Sequence, residues 1–173
     1  MAFWNKVEKA RAMFLEHRTG VDNAAFLEQF ACFADLAPVV IVLRAALADR
    51  CCVAPHMLHA GDECAHLERI MGRGRWAFIG DLGYGQWDYL EFCDSLERVL
   101  QDERLYWQIV ERHIALRRFG KEEYSSLMHM RSRPTTLSQW LQEAALPVQK
   151  RVQEAGDESA GNLQRVAAAI LGK

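Results

Sequence analysis

Apolar positions recur every three or four residues along almost the whole chain, and no stretch keeps the apolar-polar alternation of a half-buried strand. The pattern predicts an all-α protein. A first helix is expected over about 2–17, with Phe3, Val7, Ala10 and Phe14 on one face, Met13 as a further candidate, and Gly20 as the terminator. Asp22 is placed to cap a second helix carrying Phe26, Leu27, Phe30 and Phe33. Pro38 suits the first turn of a third, in which Val39, Val42, Leu43, Ala46 and Leu47 make the buried stripe. That helix should stop near Cys52, because Pro55 disfavours helix in the residue before it.

From Val53 to Gly85, Pro55 and six glycines break the pattern, leaving room for one short helix at 62–71. Regular periodicity returns in a helix at about 86–101 and another at 102–119, which Gly120 would end. Thr135 and Thr136 are candidate caps for a helix beginning TLSQWLQEAA, with Pro147 expected to end or kink it. A last apolar helix is read at 162–171. No internal repeat and no low-complexity segment appears.

At 173 residues, half of them hydrophobic and a quarter charged, the chain can bury a core. A formal charge of −2 is not that of a domain that binds nucleic acid by neutralising phosphates. The longest apolar run, 36–43, is too short to cross a bilayer, and the N-terminus has neither the apolar core nor the cleavage site of a signal peptide. A cytoplasmic protein with no nucleic-acid or membrane partner is therefore expected. Five cysteines fit reduced thiols better than a disulfide framework.

One segment carries more than periodicity. In 81-DLGYGQWDYLEF-92, followed by Leu96 and Glu97, the residues Asp81-Leu82-Gly83, Asp88 and Glu91 resemble the acyl carrier protein family where its long loop enters its second helix. Upstream, the helix at 39–50 and then Val53, Pro55, Leu58 and Asp62 follow a similar order; downstream, TTLSQWL at 135–141 looks like that fold's short final helix. The resemblance implies a carrier-like bundle at 38–145 with insertions near 71–80 and 104–133. An N-terminal helical extension (1–37) and a C-terminal helical tail (146–173) complete the expected organisation.

The family's attachment serine, however, is replaced by Gln86. A serine hydroxyl attacks the phosphoryl group that delivers phosphopantetheine; an amide is a poor nucleophile and cannot form that phosphodiester. Gly85 and Trp87 also depart from the family's flanking aspartate and leucine, and Ser95 lies more than two turns further on. No cofactor is expected. What the resemblance leaves is the family's other habit, presenting an acidic helix to protein partners. Asp81, Asp88, Glu91, Asp94, Glu97, Asp102 and Glu103 face Arg98 alone within 81–103. The binding residues expected on this reading are Gln86, Trp87, Asp88, Glu91 and Asp94, on a helix spanning 86–100.

The plain alternative is a solvated acidic face. Arg104, Arg112, Arg117, Arg118, Lys121, Arg131 and Arg133 make the second insertion basic, and two roles are open to it: covering the acidic helix or docking separately.

A different chemistry is offered by 51-CCVAPHMLHAGDECAH-66, which concentrates three cysteines, three histidines and two acids that can ligate metal. Its adjacent cysteines fit no zinc spacing, and its single E-x-x-H pair, Glu63 and His66, lacks the second pair that a di-iron bundle needs. No metal site is assigned. The runner-up to a non-enzymatic interaction or scaffold protein is a metal- or thiol-dependent helical enzyme using 51–66, with Cys64 and His59 or His66 as its reactive pair. A bundle binding a small molecule in an apolar cleft would leave no clear signature.

Overall fold

The computed structural model describes residues 2–30, 35–71, 95–104 and 135–172. Among them the protein is helical and contains no strand; the one β-type contact is an isolated bridge between Glu63 and Thr136. The helices are α1 (Ala2–Leu15), α2 (Asn23–Glu28), α3 (Ala37–Cys51), α4 (Cys64–Met71), α5 (Leu137–Glu154) and α6 (Asp157–Leu171). A 3₁₀ turn at Pro55–Met57 lies between α3 and α4, and residues 95–100 are also helical. The all-α expectation holds.

The third helix is the axis of the molecule. Pro38 sits in its first turn, where a missing N–H costs nothing. The expected stripe of Val39, Val42, Leu43, Ala46 and Leu47 is buried, but so are Val40, Ile41, Arg44, Ala45 and Ala48. A helix apolar on every side belongs inside a bundle rather than on its surface. Around it pack α2, α4, α5 and α6, and α1 packs on α4. One hydrophobic cluster runs from Phe26 and Phe30 through α3 and Leu67 to Trp140, Val152 and Ala167, so it draws on 1–37, 38–145 and 146–173 alike.

Several helix ends follow the sequence. Asp22 caps α2, its carboxylate accepting from the Ala25 amide at 2.8 Å. The third helix stops at Cys52, which takes the left-handed conformation (φ 54°) while its amide donates to Ala48 and Asp49 carbonyls. Thr136 Oγ1 accepts from the Gln139 amide, and the Gln139 side chain reaches back to the Thr135 amide, a near relative of the capping box.

Other expectations need correction. The first helix ends at Leu15, and the left-handed residue after it is His17 (φ 56°), not Gly20. Gly20 is needed for another reason: a Cβ there would overlap the His56 ring. Pro147 does not end its helix: α5 runs on to Glu154, and the burial of Val148 and Val152 beyond the proline favours continuing it. The last helix begins at Asp157, earlier than its apolar residues alone indicate, with Asp157 and Glu158 favourably placed in the first turn. Met13 is 64% exposed, so it leaves the buried face of α1 to Val7, Ala10 and Phe14. Phe33, the 72–94 stretch and the expected helix beyond Arg104 lie outside the described residues.

Candidate interaction site

Two loops, 16–22 and 52–62, are tied together around a buried arginine. Arg44 is fully buried at mid-α3, and its guanidinium donates to Asn23 Oδ1 (2.9 Å), the Val21 carbonyl (2.9 Å) and the Leu58 carbonyl (2.7 Å). It also lies 3.8 Å over the Phe26 ring, where the ring's negative face favours a cation. Burial lowers its pKa to about 10, against the opposing pull of Asp22 and Asp62, so the group stays charged at neutral pH.

A second arginine closes the same seam. Arg18 pairs with Asp62, donates to the Met57 carbonyl at 2.6 Å and lies over Phe14. Asp62 also accepts from the His59 amide, and the Val21 amide donates to the His56 carbonyl at 2.8 Å. Loops so bound act as walls. Periodicity did not mark these residues; the available signal was a lone arginine inside the apolar run 39–48, which can be buried only if several acceptors meet it.

Against this seam lies an open groove of about 950 Å³, bounded by the start of α2, the second half of α3, the 53–56 turn, the end of α6 and the 95–101 segment. Ala45, Val53, Val99 and Ile170 give it an apolar floor, while Asp22, Asp49, His56 and Arg98 supply charged or polar positions. Leu171, at its edge, is 46% exposed.

Residues 95–100 are the described part of the helix expected at 86–100. Leu96 and Leu100 are buried in the core, as is Ser95, while Glu97 is exposed. Arg98 bridges to α3 by donating from Nε and Nη2 to Asp49 Oδ2 at 3.0 and 2.6 Å, and Nη2 also donates to Ser95 Oγ. Gln101 ends the helix at φ 47°, after which Asp102 meets Arg165 at 3.6 Å and Arg104 meets Glu158 at 2.6 Å. The first basic residue of the expected insertion therefore pairs with α6. The rest of that insertion, like the expected binding residues Gln86, Trp87, Asp88, Glu91 and Asp94, lies outside the described residues.

No family model, curated protein or solved structure matches the chain. Its chemistry must be read from its own residues.

The Cys/His-rich segment is dispersed by the fold. Cys51 and Cys64 are buried among apolar side chains, and burial above all pushes the Cys51 thiol up to about 12, the opposite of an activated nucleophile. Cys52 is exposed at the end of α3. The His56 ring packs over Gly20, His59 Nε2 contacts the Thr19 carbonyl at 2.8 Å, and His66 sits 3.7 Å from Glu63 on an exposed face. Among the described residues no three histidine, cysteine or acidic groups come together as a metal site would require. Nor is any described helix long and apolar enough to cross a membrane.

Proposed function

We propose that the protein is a non-enzymatic interaction or scaffold protein, resembling an acyl carrier protein in its helical domain but unable to carry phosphopantetheine. Gln86 removes the covalent chemistry, and the acidic helix over 86–100 is the surface a protein partner recognises. One observation carries this reading: where the helix is described, Leu96 and Leu100 anchor one face in the core while Glu97 stays in solvent and Arg98 is turned onto Asp49. With Arg98, the single basic residue of 86–100, engaged by Asp49, the charge this stretch offers a partner is acidic, from Asp88, Glu91, Asp94 and Glu97. The enzymatic alternative, centred on 51–66, is less well supported, since two of its three thiols are buried and its histidines point to separate partners.

Two measurements test the proposal. Incubation with a promiscuous phosphopantetheinyl transferase and coenzyme A is expected to leave the intact mass unchanged; a gain mapped to 81–100 would refute it. Affinity capture from the source cell should recover a partner with wild-type protein and lose it on charge reversal at Asp88, Glu91 and Asp94. Capture that survives all three reversals would place the surface elsewhere.

A further inference from the structure

We draw no further inference here: the strongest candidate, the open apolar groove between α2, α3, the 95–101 segment and the end of α6, carries none, because its Asp49 is already bound by Arg98 and nothing in the structure shows what covers it.

Discussion

Gly20 and His56 show how a residue can be fixed by a neighbour far away in sequence. The glycine resembles a helix terminator because it follows an amphipathic run, yet the chain turns at His17 and Gly20 instead makes room for an imidazole. The ring belongs to the turn that accepts the Val21 amide, so displacing it would disturb the seam around Arg44 and the near wall of the groove. Gly20→Ala should therefore destabilise the protein by about 1–3 kcal/mol, the usual cost of overpacking a tight site. His56→Ala removes the obstructing ring, so in a double-mutant cycle the alanine at position 20 should cost at least about 1 kcal/mol less in that background. Urea denaturation of the four proteins measures the coupling; additive effects would show that the close approach does not constrain the fold.

At the scale of the element, Cys52 is the corresponding case of a residue in a conformation that suits glycine. It is exposed and left-handed at the end of α3, and its amide completes the carbonyl caps. Cys52→Gly should stabilise the protein by about 0.5–1 kcal/mol, because the left-handed strain is relieved and little packing is lost. A lower midpoint in thermal or urea unfolding would contradict this. The sequence located that helix end correctly, since Pro55 limits how far α3 can extend, and the same local logic found the Asp22 cap and Pro38. It misjudged what surrounds α3: periodicity identifies one apolar face but does not say whether the opposite face meets solvent or three further helices. That Pro147 does not end α5 was hidden for a related reason, as local propensity cannot weigh the tertiary packing of Val148 and Val152. The groove was less legible still. Its floor joins Ala45, Val99 and Ile170, positions whose proximity exists only after folding, whereas the acids of 81–103 are visible at once.

For the whole molecule, the burial that separates the thiols from solvent should set its response to alkali. Cys51 closes α3 inside the common core, where its carbonyl accepts from Arg11 Nε at 2.9 Å and its thiol is held neutral up to about 12 from an ordinary value of 9.0. Desolvation is the main cause; Cys52 and Asp62 act in the same direction, while Arg50 and Arg11 oppose them. A raised folded pKa means that the unfolded chain loses its proton first. The resulting stabilisation is complete below about pH 9 and is lost as pH rises toward 12, with a slope approaching about 1.4 kcal/mol per unit. Arg44 works in the opposite sense, since its folded pKa is lowered from 12.5 to about 10 and its buried charge is relieved only above that value. Between pH 9 and 10 the Cys51 effect therefore dominates this pair. Urea stability of wild type and Cys51→Ala, compared across that interval, cancels the titrations common to both proteins. The alanine variant should begin lower because a buried sulfur has been removed. The gap should then narrow by about 1 kcal/mol from pH 9 to pH 10 as the wild type alone loses its thiol contribution. Parallel stability curves would show that Cys51 ionises as readily in the folded protein as in the unfolded chain, and that the core around the end of α3 admits water.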